Sequence, residues 1–265
     1  MDGVLQALQR VRDNVNAAPA GPVEHNRSNV IGALGHNFSA ALDLSDSPPL
    51  LLDRPTLLAN RIVAFDSSRE QTRPYDVLRN LVLEDLAEIE SRTIAVTAPT
   101  TGCGTTVTAA NIALSIARLR TTKVLLLECN KTSPGIAKAL GATHLLANAS
   151  AGDSGSWVHT VEVEGVTLQV GSLARLEKEG LLLERSGTVS FEIIQQRLGP
   201  VTIVLDLPPV LNGDHTLPLV LGADVVLVVL AVGRSRVADF EACKSYLNED
   251  SRVHVVLNKS RMHGL

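Results

Sequence analysis

The stretch Thr93-Ile94-Ala95-Val96-Thr97-Ala98-Pro99-Thr100-Thr101-Gly102-Cys103-Gly104-Thr105-Thr106-Val107 decides the fold. An apolar, β-prone run leads into a glycine-containing turn, and helix-patterned sequence follows from Thr106 to Leu119. Strand, glycine turn and helix start together form the setting of a phosphate-binding loop. Two close glycines let backbone N–H groups turn inward around an anion, and the helix N-terminus adds partial positive charge. The candidate ligand contacts are therefore Gly102, Cys103, Gly104, Thr105, Thr106 and Val107. One element is absent: Thr105 stands where such a loop carries lysine, and Thr106 where it carries the Mg²⁺-binding Ser or Thr.

The sequence on either side sets this loop in an alternating pattern. Apolar runs at Lys123–Leu127, Thr167–Val170, Val201–Leu205, Val225–Ala231 and Val253–Leu257 read as strands. Helices are expected at Tyr75–Ile89, Gly135–Leu140, Leu173–Glu184, Thr188–Leu198, Leu217–Leu221 and Arg236–Asn248. Alternating strands and helices imply an α/β, doubly wound, mostly parallel sheet flanked by helices, a P-loop NTPase-like architecture. Ligands of such sheets bind beyond the carboxyl ends of the strands. Two further strand ends carry polar residues there: Glu128 and Asn130 after the second strand, and Asp206 after Ile203-Val204-Leu205. An acidic residue closing an apolar run is the pattern of a metal-holding carboxylate. Thr106, Glu128 and Asp206 are thus the candidate Mg²⁺ residues.

Bulk properties narrow the function. The chain has 265 residues, 45% hydrophobic but only 3% aromatic, so its core is built from Val, Leu, Ile and Ala. A net charge of -4 argues against nucleic acid as partner. The three cysteines show neither metal spacing nor a disulfide framework. The longest apolar run, Val225 to Val232, is too short to span a bilayer, and Met1 to Val15 does not read as a secretory signal. A cytoplasmic location is expected. Residues 1–58 read as an N-terminal amphipathic helix (Val4, Leu5, Leu8, Val11) and a partly disordered linker, with a short helix near Val30–Leu34. Residues 59–265 read as the P-loop domain. Asn148–Ser156 reads as a surface loop.

These segments, in this order, resemble the cytoplasmic domain of the bacterial tyrosine autokinases, P-loop proteins related to the MinD/ParA ATPases. The resemblance rests on Leu5-Gln6-Ala7-Leu8-Gln9-Arg10, Asn60 to Asp66, Arg73 to Arg79, the loop and its helix, Asp206-Leu207-Pro208-Pro209-Val210, Asp214, Gly222-Ala223-Asp224, Gly233-Arg234 and Val256-Leu257-Asn258-Lys259. It implies that Asn258 joins the nucleotide contacts. It also implies a membrane polysaccharide co-polymerase as partner, in exopolysaccharide assembly or export, with the chain held peripherally at the inner membrane through that partner. A homo-oligomer, or a hetero-oligomer with an active paralogue, would form through the helix after Arg73.

The departures fall on the chemistry. The family's loop lysine is Thr105, and its Asp-x-Asp after the second strand is Glu128 and Asn130. Its Glu-x-x-Arg-x-x-Arg helix motif is Arg73, Asp76 and Arg79. The tyrosine cluster of active members has no counterpart, since Tyr75 and Tyr246 are the two tyrosines of the chain. No catalytic residue is assigned with Thr105, Glu128 and Asn130 so changed. The expectation is a degenerate member with weak or absent ATP/ADP and Mg²⁺ binding and without efficient phosphotransfer. Glu128 is expected to reach Mg²⁺ through water, and Lys131 is the candidate replacement for the missing lysine. The alternatives are an active tyrosine kinase or MinD/ParA-like ATPase, and a scaffold that binds no nucleotide.

Overall fold

The computed structural model describes residues 48–89, 92–131, 135–143, 158–178, 180–185, 188–247 and 252–260. The expected N-terminal helix, the helix near Val30–Leu34 and the loop Asn148–Ser156 lie outside them.

Eight strands form one sheet: β1 (Leu50–Leu51), β2 (Arg92–Thr97), β3 (Lys123–Glu128), β4 (Val158–Val163), β5 (Val166–Ser172), β8 (Val201–Asp206), β9 (Val225–Ala231) and β10 (Arg252–Asn258). Their order is β1-β4-β5-β3-β8-β2-β9-β10, and every pairing is parallel except β4 with β5. A separate small hairpin joins β6 (Leu183–Arg185) and β7 (Thr188–Ser190). The α/β, mostly parallel architecture read from the sequence is the one observed.

Side chains alternate across the sheet and make two cores, as sheets covered on both faces require. Ile94, Val96, Val124, Leu126, Val204, Leu227 and Val229 face one core. Helices α1 (Arg54–Ala59), α2 (Arg73–Asp85), α3 (Thr105–Ala117) and α4 (Ile136–Ala139) cover it. Ala95, Leu125, Leu127, Ile203, Leu205, Val226 and Val228 face the other. That side is covered by α5 (Leu173–Lys178), α6 (Glu192–Leu198), α7 (Leu217–Leu221) and α8 (Val237–Lys244). Helix α3 is the central one: every residue from Thr108 to Ala117 is buried. Its alanines at 109, 110, 113 and 117 let it lie close on the strands. Its one amide, Asn111, bonds Val63 N and Ala64 N through Oδ1 and Arg61 O and Val107 O through Nδ2. A buried amide so satisfied fixes the lead-in segment on the domain.

Four expectations need correction. The stretch read as linker up to residue 58 carries β1 and α1, with Asp53 capping α1, Pro55 in its first turn and Leu57 fully buried. Strand β4 was not expected; it pairs with β5 across the turn Glu164-Gly165, where both residues have positive φ, 49° and 76°. The helix expected over Leu173–Glu184 stops at Lys178 and gives way to β6. The helix expected from Thr188 begins at Glu192, because Thr188-Val189-Ser190 is β-prone and pairs with β6.

Helix α2 is bound to α3 by charge. Asp76 accepts from Arg79, Arg118 and the Ser115 hydroxyl, and Arg79 also reaches Ser115 O. Asp76 and Arg79, two of the three positions at the expected oligomer motif, are therefore engaged within the chain. Arg73 is exposed.

Candidate functional site

The loop between β2 and α3 lies at the carboxyl edge of the sheet, between the ends of β8 and β9. Thr97 donates to Pro208 O, Leu207 N to Val96 O and Val210 N to Ala98 O, so the segment after β8 is sewn to the start of the loop. Cys129 N donates to Asp206 O and joins the end of β3 to the same edge. The three strand ends singled out from the sequence do meet.

Gly102 and Gly104 both have left-handed φ, 77° and 98°. Among the described residues no acceptor meets the N–H groups of Gly102, Cys103, Gly104, Thr105 and Thr106. These are the donors that a helix start leaves for an anion. Thr105 and Thr106 are half-buried, and Val107 packs its side chain against the α3 core. Cys103 is buried; its thiol donates to Thr100 O at 3.2 Å and lies 3.5 Å from Ser235 Oγ.

Behind the loop stand residues from the ends of β9 and β10. Arg234 Nε donates to Thr101 O at 2.7 Å, Lys259 Nζ to Gly102 O at 2.7 Å and Asn258 Nδ2 to Cys103 O at 2.9 Å. Asn258, expected to touch nucleotide, is placed at the loop, with its amide bound to the loop backbone. Arg234 and Lys259 were quoted in the sequence only as parts of motifs. Their meeting at the loop has no local signal, since it follows from the order β2-β9-β10 in the sheet. Lys131, the candidate replacement for the absent lysine, pairs its ammonium with Glu177 at 2.6 Å.

The carboxylates differ in fate. Glu128 is 9% exposed and takes three backbone donors: Gly135 N at 2.6 Å and Ile136 N at 2.8 Å on Oε2, Asn130 N at 3.2 Å on Oε1. It thus caps the start of α4 and holds the turn after β3. Oε2 is filled by its two donors, and the water-linked contact with Mg²⁺ expected from the sequence would run through Oε1. Burial raises the pKa of Glu128, and the three N–H bonds oppose that rise. Asp206 is 2% exposed, and its Oδ2 has no partner among the described residues. Burial first, then the neighbouring Glu128 charge, push its pKa up to about 8, against the lowering effect of the Thr106 hydroxyl. Asn130, half-buried, follows Glu128 in the turn.

The residues present fit a bound anion, with the open N–H groups as its cradle. For Mg²⁺ the fit is partial: the orphaned Asp206 Oδ2 and the Thr106 hydroxyl suit a hard cation, and Glu128 offers it one acceptor site, on Oε1. No cluster of three metal-ligating His, Cys, Asp or Glu occurs among the described residues.

No family model and no curated protein matches the chain. Solved structures do. The BceF tyrosine kinase domain superposes with a TM-score of 0.55 at 18% identity, covering 79% of this chain and 90% of that one. The chimerical protein CapA2B2 gives 0.54 at 17%, covering 80% and 94%. The kinase domain of the Escherichia coli tyrosine kinase ETK gives 0.51 at 15%, covering 77% and 83%. The chain has the fold of bacterial tyrosine kinase domains. At these identities the likeness shows the fold, and what the site does depends on its own residues. No helix among the described residues is long and apolar enough to cross a membrane.

Proposed function

We propose that this chain is a tyrosine-kinase-like P-loop subunit that binds nucleotide weakly and regulates by binding, without efficient phosphotransfer. The observation that carries the reading is the division within the site. The loop keeps its open N–H groups, while the charges that would stabilise a transferring phosphoryl group are gone or engaged. Thr105 supplies no positive charge, Glu128 takes three backbone donors, and burial raises the pKa of Asp206 to about 8, against its carrying a full charge at neutral pH. Phosphoryl transfer depends on positioning and charge, and each ~1.4 kcal/mol lost from the transition state slows it about tenfold.

The two tyrosines support the same reading. Tyr75 packs against the α3-side core and Tyr246 against the other, and both are half-buried. Within the resemblance stated above, the partner is the cytoplasmic side of a membrane polysaccharide co-polymerase, and the process is exopolysaccharide assembly or export. The chain would act there alone or alongside an active paralogue.

The test is ATP turnover and phosphotyrosine formation by the purified protein, measured beside ADP binding by calorimetry. Binding without turnover is expected. Robust hydrolysis, or phosphotyrosine on the purified chain, overturns the proposal.

A further inference from the structure

Three successive carbonyls of the loop, those of Thr101, Gly102 and Cys103, each receive a side-chain donor from a different residue: Arg234, Lys259 and Asn258. Two of the three donors are cations. The arrangement is also written into the glycines. A Cβ on Gly102 would meet the Arg234 guanidinium at 2.7 Å, and a Cβ on Gly104 would fall on the Asn258 amide. The space next to each glycine is thus filled by a donor side chain. Lys259 itself has a left-handed φ of 59°, and its N–H donates to Asn258 Oδ1 at 2.7 Å. A non-glycine residue held there by its neighbour marks a constrained corner.

We infer that Arg234, Lys259 and Asn258 form a clamp that sets the loop's carbonyls outward and its N–H groups inward, and that the two cations supply from behind the loop part of the positive potential absent at Thr105. The ligand class is the polyphosphate of a nucleotide. This deepens the reading of the loop as an anion cradle and rests on it. A peptide unit polarised at its oxygen by a cation presents a stronger N–H on its other side. The 102 and 103 N–H groups belong to the two peptide units so polarised, and the 104 N–H to the unit held by the neutral Asn258 amide. The cations touch no phosphate directly; they are positioning residues, and their charge acts through the loop.

The test uses the full chain with pyrophosphate and ADP as probes, without metal, by calorimetry at several salt concentrations. Arg234→Gln and Lys259→Gln are each expected to weaken pyrophosphate binding roughly threefold to tenfold and to flatten its salt dependence. Arg234→Lys and Lys259→Arg restore both, whereas a purely packing role would not follow charge. Asn258→Ala is expected to weaken binding with the salt dependence unchanged, because it removes a neutral donor. Melting temperature checks that each variant folds, and the conservative pair carries the test should a glutamine variant not fold. Binding and salt dependence unchanged in both glutamine variants overturn the clamp and leave the cradle standing. No pyrophosphate or ADP binding by the unmodified chain overturns the cradle and the clamp together.

Discussion

Replacing Asp206 by Asn probes the buried carboxyl at the end of β8. Its pKa rises from 3.8 to about 8 in the folded protein, with burial as the main cause. Between those two values the folded state holds a proton that the unfolded chain releases. The stability tied to this group is therefore fully present below the unfolded value and is lost as pH climbs toward the folded one. The loss runs at about 1.4 kcal/mol per pH unit across that window, so the group costs about 2 kcal/mol at pH 5 and about 4 kcal/mol at pH 7. Asn keeps the shape without the titration. Asp206→Asn is thus expected to be more stable than the unmodified protein at neutral pH, with the gap shrinking by about 2–3 kcal/mol on going down to pH 5. Urea unfolding at both pH values, in buffer free of divalent cations, reads it out. Adding millimolar Mg²⁺ at neutral pH should raise the stability of the unmodified protein and leave the variant unmoved, since the orphaned Oδ2 is the atom that would meet the metal. A gap that is absent, or that does not change with pH, refutes the buried neutral carboxyl.

Thr105→Lys places an ammonium at the mouth of the cradle and should tighten ADP binding by roughly tenfold to a hundredfold, as one charge-assisted hydrogen bond would, read by calorimetry. Both loop glycines have a left-handed φ, so alanine strains the backbone at either; Gly104→Ala should destabilise by about 2 kcal/mol or more, because the new methyl also meets the Asn258 amide, while Gly102→Ala should cost about 1 kcal/mol, since the end of Arg234 that it meets is flexible; thermal unfolding ranks the two. Asp76→Ala should cost about 3 kcal/mol in urea unfolding, because it strips Arg79, 8% exposed, and Arg118 of their shared carboxylate.

What the sequence carried and what it withheld divide along local and distant causes. Strand β9 runs over Val225–Ala231 as expected, and β2, β3, β8 and β10 extend one residue or so past their apolar runs. Buried parallel strands are continuous apolar segments, which is the plainest signal a sequence gives. Strand β4 had a signal that was passed over: Val158, Val161 and Val163 are buried among half-buried polar residues, and Glu164-Gly165 is a turn sequence. Helix α1 was hidden for a different reason. Six residues beginning Arg54-Pro55 show no period, and the burial of Leu57 comes from the rest of the domain. At the site, the loop glycines were legible because their conformation is local. The three donors to the loop carbonyls were not, because only the parallel order β2-β9-β10 brings residues 234, 258 and 259 to residues 101–103.

Glu128 shows how one methylene alters a site. The carboxylate follows a strand whose register places it opposite Asp206. An aspartate there would have its oxygens about one carbon–carbon bond nearer the backbone, short of Gly135 N and Ile136 N. The longer stem reaches both, along with Asn130 N, and so the group orders the turn after β3 and the start of α4. The same three bonds fill Oε2 and leave Oε1 with one acceptor site beside Asn130 N. The donors that shape the loop come from β9 and β10 instead, and Asp206 belongs to β8. On the proposed reading, the anion cradle rests on the loop's backbone N–H groups, and phosphoryl transfer would need in addition the charges that positions 105, 128 and 130 supply in the family.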